Sequence, residues 1–345
     1  MRRLKPISIV GGGLAGLTCG IGLRQRGVAV TIWEAGRYPR HRVCGEFISG
    51  HGQDVLTRLG LMELFTQAGA IFSNTARFFL GTASSPVRRL EQPAVSLSRF
   101  KMDALLAERF RALGGELLEN SRWHGDERAE GLILANGRRL QPVERGWRWF
   151  GLKAHAGHLQ LAADLEMHGC PHGYVGLSRL PGNEVNVCGL FRAGPGTAPG
   201  NPKELLRGRP STPLHERLAA AVFDEASFCS VAGLPMRPRR AAQTGGCRLG
   251  DALTMIPPVT GNGMSMAFEA ADLALDPISA YSRGELPWDA ARAALGYACD
   301  AAFRRRLRWA RWLQALILCP AAQGRFGSWI LHYPTLWHIF FKCTR

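Results

Sequence analysis

The sequence predicts an α/β protein with a parallel β-α-β unit at its start, an inserted mixed antiparallel β-sheet and a C-terminal helical tail. Three observations carry this reading. A β-branched apolar run, Ile7-Ser8-Ile9-Val10, breaks into Gly11-Gly12-Gly13-Leu14-Ala15-Gly16 and then into a helical pattern. Short alternating segments fill residues 164–192. An amphipathic, arginine-rich run follows Asp289. The composition agrees: of 345 residues, 46% are hydrophobic and 20% charged, which excludes disorder as the dominant state. No apolar stretch approaches the roughly 20 residues that a helix needs to cross a bilayer.

The start, Met1-Arg2-Arg3-Leu4-Lys5-Pro6, has the charge of an export signal, but Gly11-Gly12-Gly13 breaks the apolar region at once, so no export is expected. Nine scattered cysteines, with no C-x-x-C pair, argue against a disulfide framework or a metal site and for a cytoplasmic protein. The 43 Lys and Arg against 27 Asp and Glu leave a net charge of +16. Nucleic acid, an anionic membrane surface or an anionic substrate or cofactor would answer that charge, and an arginine-rich genome composition would produce it without a partner.

In the first unit, Leu14, Leu17, Ile21 and Leu23 set a helical period that Gly27 ends, and residues 28–34 form a second buried strand closed by Glu34-Ala35. Gly11, Gly13 and Gly16 make a G-x-G-x-x-G fingerprint in the context that dinucleotide binding requires. Gly11 permits the tight turn, Gly13 lets a pyrophosphate approach the backbone, and Gly16 lets helix and strand pack closely. The helix start at Leu14 and Ala15 offers free N–H groups and a partial positive charge. Glu34 can accept both ribose hydroxyls of an adenosine half. A glycine-rich turn without a ligand would have the same local shape.

Further on, residues 99–113 read as a helix, and Gly182-Asn183 as a hairpin turn between two strands. Cys247-Arg248-Leu249-Gly250-Asp251 reads as an apolar strand ending at Asp251. After Pro257-Pro258, Gly261-Asn262-Gly263-Met264 opens a helix that runs to about Leu275. Ile133-Leu134-Ala135-Asn136-Gly137-Arg138 reads as an Asn-Gly hairpin or as a degenerate strand-and-turn motif. In Trp147-Arg148-Trp149-Phe150-Gly151-Leu152-Lys153-Ala154-His155, Lys153 and His155 share one face of a strand, facing either an anionic ligand or solvent. In the tail, Trp309, Trp312, Leu313 and Leu316 make an apolar stripe flanked by Arg304, Arg305, Arg306, Arg308 and Arg311. Trp329, Trp337, Phe340 and Phe341 follow, with breaks at Pro320 and Pro334.

The two glycine motifs together resemble those of FAD-dependent oxidoreductases of the para-hydroxybenzoate hydroxylase-like (group A monooxygenase) and geranylgeranyl reductase superfamily. The resemblance implies a Rossmann-like FAD-binding domain of glutathione reductase type 2, an inserted mixed antiparallel β-sheet that holds substrate, and a helical tail. It also implies that Gly250 and Asp251 meet the ribityl chain, while Pro258, Gly261, Gly263 and Met264 meet the pyrimidine end of the flavin. Arg99, in Arg99-Phe100-Lys101-Met102-Asp103-Ala104-Leu105-Leu106, is similar to a family arginine that reaches the flavin pocket, with Asp103 as a helix cap. Arg42, Cys44 and Gly45, in Arg42-Val43-Cys44-Gly45-Glu46-Phe47, resemble the reductase branch beside the isoalloxazine. So does Tyr174 as a substrate-cavity residue, although the tryptophan that follows it in that branch is missing. The Trp147-Arg148-Trp149 segment is similar to flavin-dependent halogenases without their following Ile-Pro.

The expected division is residues 1–150 for the first part of the FAD domain with some strands of the other sheet, 151–230 for the substrate sheet, 231–285 for the second part of the FAD domain, and 286–345 for the tail. The expected activity is NAD(P)H-dependent hydroxylation of a large apolar or aromatic, polyketide-like molecule, with Lys153, His155 and Tyr174 as candidate catalytic residues and no metal. A flavin ene-reductase acting on isoprenoid chains is the alternative, and a non-catalytic basic binding protein with a Rossmann core is the rival class. The expected partners are the small apolar substrate, no nucleic acid, and a membrane surface met peripherally through the basic tail.

Overall fold

Every strand of the first sheet runs in one direction because helices or long crossovers join them. The structure, a computed structural model, describes residues 4–81, 83–196, 200–241, 244–319, 331–333 and 342–344. β1 (Ile7–Val10) leads through the glycine turn into α1 (Leu14–Gln25) and β2 (Val30–Trp33), with Ile7 opposite Val30. The chain then passes through β3 (Phe47–Ile48), α2 (Gly52–Arg58), α3 (Leu61–Gln67), β4 (Ile71–Leu80), β5 (Ala83–Ser84), β6 (Arg88–Ser96) and α4 (Arg99–Ala112). It returns as β7 (Glu116–Leu118), parallel to β2, and β8 (Leu132–Leu134), parallel to β1.

The second sheet follows as β9 (Arg148–Gly157), β10 (Leu165–Cys170), β11 (Gly173–Arg179), β12 (Val185–Ala193), the short helices α5 (Pro202–Arg207) and α6 (Pro213–Leu218), and β13 (Val222–Ala232). β14 (Cys247–Arg248) then rejoins the first sheet beside β8, and α7 (Gly263–Ser282) and α8 (Trp288–Ile317) close the described fold. The parallel sheet has the order β14-β8-β1-β2-β7, and the mixed sheet the order β13-β9-β12-β11-β10-β4-β6-β3, with β5 beside β4. Only the β4–β10 pairing in that second sheet is parallel among the described pairs.

One core unites α1, α4, α7 and α8 with the parallel sheet, through Ile9, Leu17, Ile32, Phe110, Phe268 and Phe303. Gly20 on α1 faces Ile32 and Phe110, and a methyl placed there would lie 2.8–2.9 Å from both side chains. A second core lies between β9, β11, β12 and the helices α5 and α6, around Leu152, Val175, Val187, Phe191 and Leu218. The opposite face of β9 turns toward residues 41–47, with Gly151 packed on Val43.

Of the two readings of residues 133–138, the strand-and-turn motif holds: Leu132, Ile133 and Leu134 are buried in a parallel strand between β1 and β14, and no hairpin forms there. Other expectations change. Asp251 lies in a short 3-10 turn at Gly250–Ala252 after a two-residue strand, not at a strand end. α7 continues past Leu275 and through Pro277 to Ser282, because burial of Ile278, Ser279 and Tyr281 outweighs one lost helical hydrogen bond. On α8 the buried face is Phe303, Arg306, Leu307, Ala310, Gln314 and Ile317, whereas Trp312 is exposed and Trp309, Leu313 and Leu316 are half-buried. Pro320, Pro334, Trp329, Trp337, Phe340 and Phe341 lie outside the described residues. No described helix is long and apolar enough to cross a membrane.

Phe110 is fully buried and fills the space left by Gly20 and Gly115. Phe110→Ala is expected to cost about 3–5 kcal/mol of stability, read as a lower urea midpoint with little change in slope.

Candidate active site

The fingerprint glycines differ in what requires them. Gly11 sits at φ +107°, and a side chain there would run into the Ala135 carbonyl; one at Gly16 would strike the Gly11 carbonyl at 2.0 Å. Gly13 is different. It precedes α1 with an extended φ of −85°, and a Cβ built on it meets nothing within 4 Å. The fold itself does not demand glycine there; the free space at a helix N-terminus, beside the buried Leu14 and Ala15, is the approach that a pyrophosphate needs.

Glu34 is buried at the end of β2 and already has partners. Its Oε1 accepts from Gly36 N at 2.8 Å and from Arg40, its Oε2 accepts from Gly12 N at 2.8 Å, and Arg42 stands 3.7 Å away. Burial would raise its carboxyl, but those N–H groups and guanidinium charges outweigh it and hold the group below the usual range. With Oε1 filled, the free acceptor position on Oε2 suits one ribose hydroxyl; a second needs Arg40 to move aside. Ala35 follows, exposed, and the Tyr38 hydroxyl donates to the Gly12 carbonyl.

Arg42, Cys44, Arg99 and Asp103 gather around α4. Asp103 does not cap the helix, since Ser98 does that by accepting from Lys101 N. Asp103 is fully buried and binds Arg99 in a fork at 2.8 and 2.9 Å, while Arg42 Nε donates to it at 3.2 Å. Cys44 lies against Arg99; burial raises its thiol and the Arg99 charge opposes that rise. From the other side come Gly250, at φ +57° and packed on Ala15, and Asp251, exposed and within reach of the charges of Arg138 and Arg99. Pro258 precedes Gly261, whose φ of +64° turns the chain into α7 under the ring of Phe47. Asn262 meets Ser49, Gly263 is exposed and Met264 is buried. The cofactor-site residues read from the sequence fall on turns and loops at the first sheet's carboxyl edge, on the first turns of α1 and α7 that leave it, or on α4 and the loop of residues 42–45 beside it.

Lys153 and His155 do share one face of β9, and neither reaches solvent. Lys153 is 0% and His155 4% exposed. Both converge on Glu46, itself 0% exposed: Lys153 Nζ lies 3.3 Å from Oε1 and His155 Nε2 lies 2.6 Å from Oε2. Arg99 N donates to Oε1 at 2.9 Å, and His41 Nδ1 lies 3.0 Å from Lys153 Nζ. Burial would raise the Glu46 carboxyl, but the His155 hydrogen bond and the Lys153 charge hold it below the ordinary range. Burial and the same two cations push His41 below the ordinary imidazole range. A bulge in β13 between Asp224 and Cys229 brings Ser227 to accept from His155 N at 2.7 Å. Glu46 and Asp103 were missed as working residues. The signal for Glu46 was indirect: a lysine and a histidine on one face of an apolar strand call for a polar partner, and Glu46 follows Cys44-Gly45.

Tyr174 lies in an apolar cluster with Trp149, Leu190, Met236, Met255, Val259 and Ile317. Among the described residues its buried hydroxyl has no hydrogen-bond partner, and burial lifts the phenol well above its usual range, so it remains a donor. It shares the sheet face of Lys153 and His155 two strands away, since Tyr174 pairs with Leu190, Leu190 pairs with Gly151, and Gly151 stands two residues before Lys153 on β9.

Glu46→Gln leaves Lys153 buried without its countercharge and is expected to cost about 3–5 kcal/mol, with Lys153→Met in the same chain recovering part of it. Because the folded carboxyl titrates below its unfolded value of about 4.3, its contribution is present above that pH and fades as pH falls through the folded value. The wild type should therefore lose stability in acid by a component that Glu46→Gln lacks, measured by urea unfolding at a series of pH values.

Comparison with known proteins bears on the fold. Residues 9–55 match the family described as an NAD(P)-binding Rossmann-like domain. A stretch of 127 residues is 26% identical to conditioned medium factor receptor 1 of Dictyostelium discoideum, covering 33% of this chain and a quarter (25%) of that protein's length. A flavin-dependent brominase superposes with a TM-score of 0.78 at 17% identity, over 98% of this chain and 92% of its own. p-Nitrophenol 4-monooxygenase from Pseudomonas putida gives 0.76 at 14% identity, over 99% and 98%. A geranylgeranyl bacteriochlorophyll reductase-like protein from Thermoplasma acidophilum gives 0.71 at 17% identity, over 91% and 87%. The chain has the fold that flavin-dependent monooxygenases, halogenases and geranylgeranyl reductase-like proteins share.

Proposed function

We propose that the chain is an FAD-dependent monooxygenase that draws electrons from NAD(P)H and hydroxylates a large apolar or aromatic, polyketide-like substrate. The observation that carries the FAD reading is the open approach at Gly13, framed by two glycines that the backbone itself requires. Leu14 and Ala15 would offer N–H groups to the pyrophosphate, Glu34 one oxygen to a ribose hydroxyl, and Asp251 its exposed carboxylate to the ribityl chain. Arg42, Arg99, Cys44 and Gly45 would border the ring system, and Pro258, Gly261, Gly263 and Met264 its pyrimidine end, where the start of α7 favours negative charge. When bound, FAD supplies the hydride and oxygen chemistry, and the protein positions and shields it. The apolar cluster at Tyr174 would exclude water and offer one hydroxyl donor to substrate. Glu46, Lys153 and His155 would hold a proton between His155 Nε2 and Glu46 Oε2 beside the same loop, which makes His155 the best placed proton donor.

A second reading, an ene-reductase of isoprenoid chains, is favoured by Cys44 lying against Arg99 and by the apolar setting of Tyr174. FAD should co-purify with the wild type, and at about 100 times its Kd it should add about 2.7 kcal/mol of stability. Gly13→Val should abolish that gain while leaving the unfolding midpoint of the FAD-free protein unchanged, because the site has room for the side chain. A colourless wild type that takes up no added FAD would sink the reading. With labelled oxygen and NAD(P)H, the hydroxylated product should carry the label; unlabelled product formed equally well under nitrogen would favour the reductase.

A further inference from the structure

α8 carries five arginines between residues 304 and 311, and the fold accounts for one of them. Arg306 is buried and grips Glu269 on α7 in a fork at 2.7 and 3.0 Å. Arg304, Arg305, Arg308 and Arg311 are exposed on the other side. Asp300, the one acidic residue in 297–315, turns inward to accept from Ala241 N at 2.6 Å. Positions 297, 301, 304, 308, 311 and 315 follow a helical period and form one outward face, about 27 Å long at 1.5 Å per residue. Two aromatics mark its ends, Tyr297 at 69% and Trp312 at 51% exposure. Among the described residues, Arg304, Arg308 and Arg311 make no salt bridge, and Arg305 donates only to Cys343 Sγ at 3.4 Å.

We propose that this face of α8 docks on an anionic lipid bilayer, its arginines among the headgroup phosphates and Tyr297 and Trp312 at the headgroup level. A stripe of cations without a carboxylate complements such a surface, and aromatic rings with one polar tip settle where hydrocarbon meets water. The exposed rings of Tyr297 and Trp312 beside the arginine row favour a bilayer, where aromatic rings settle at the headgroup level, over a nucleic acid. At its C-terminal end, Leu313, Ile317 and Leu318 pack into the apolar cluster that holds Tyr174. A docked α8 therefore lies between the lipid and that cluster.

The test is sedimentation of the full chain with vesicles of phosphatidylcholine containing phosphatidylserine, or of phosphatidylcholine alone, in low and high salt. Binding is expected to the anionic vesicles in low salt and to fall at least tenfold in high salt or without phosphatidylserine. Arg304→Gln, Arg308→Gln and Arg311→Gln combined should weaken it by about a hundredfold while leaving the thermal transition unchanged, since all three side chains point to solvent. Equal recovery in the supernatant with both vesicle types would overturn the proposal. So would a folded triple variant that binds as the wild type does, or tighter binding to duplex DNA than to vesicles. FAD content is measured in pellet and supernatant alike, so that loss of cofactor and loss of docking are read separately.

Discussion

The carboxylate of Glu46 holds the two halves of this molecule in register. It belongs to a loop leaving the first sheet, yet its ionic partners, Lys153 and His155, lie more than a hundred residues later on a strand of the second. Glu46 takes a left-handed backbone at φ +58°, uncommon for a residue with a side chain, and Arg99 N fixes its other oxygen. The same loop gives its carbonyls to the second sheet: Ser178 Oγ donates to Gly45 O at 2.7 Å and Asn186 Nδ2 to Cys44 O at 3.0 Å. A non-regular segment can be buried here because strands β11 and β12 satisfy its backbone. A buried ion pair adds little stability compared with a well-packed apolar pair, but losing one partner is costly. The cluster therefore enforces one arrangement of loop and sheet more than it strengthens the protein.

A second chain of alternating charge runs beside the glycine turn, from Arg40 through Glu34 and Arg42 to Asp103 and Arg99. Asp103 is the pivot, because Arg42 and Arg99 are both oriented by it. Their guanidinium groups are thus fixed before any ligand arrives, and the entropy of ordering two long side chains is already spent in folding. Arg40 sits differently: it is one-third exposed and held by one carboxylate oxygen, so it can swing away from Glu34 at small cost.

The parts of this architecture written in local sequence were legible. A strand, a glycine turn, a helix and a second strand within thirty residues announce the first unit, and a period of two put Lys153 and His155 on one face. What could not be read was burial decided by distant segments. Lys153 and His155 suit a solvated strand until Glu46 is known to lie beneath them, and nothing near residue 153 names residue 46. Residues 133–138 suit a hairpin and a strand-and-turn motif equally until β1 and β14 are known to flank them on either side. On α8, the apolar stripe of Trp309, Trp312, Leu313 and Leu316 does not set the buried face, because α7 presents Glu269, which draws Arg306 inward and leaves Trp312 exposed. Asp103 read as a cap because acidic residues near helix starts usually are; its depth was set by Arg42 and Arg99 arriving together.

The order of strands has a consequence for how the protein comes to be made. β14, at one edge of the parallel sheet, is drawn from residues 247–248, and the opposite sheet spans from β3 at residues 47–48 to β13 at 222–232. A ribosome must therefore release roughly two-thirds of the chain before either sheet can close. Until then β8 offers an unpaired edge of Leu132, Ile133 and Leu134, and long-range pairings of this kind form slowly. The growing polypeptide passes through a stage when hydrophobic strand edges are open to other chains, the condition under which chaperones are most needed.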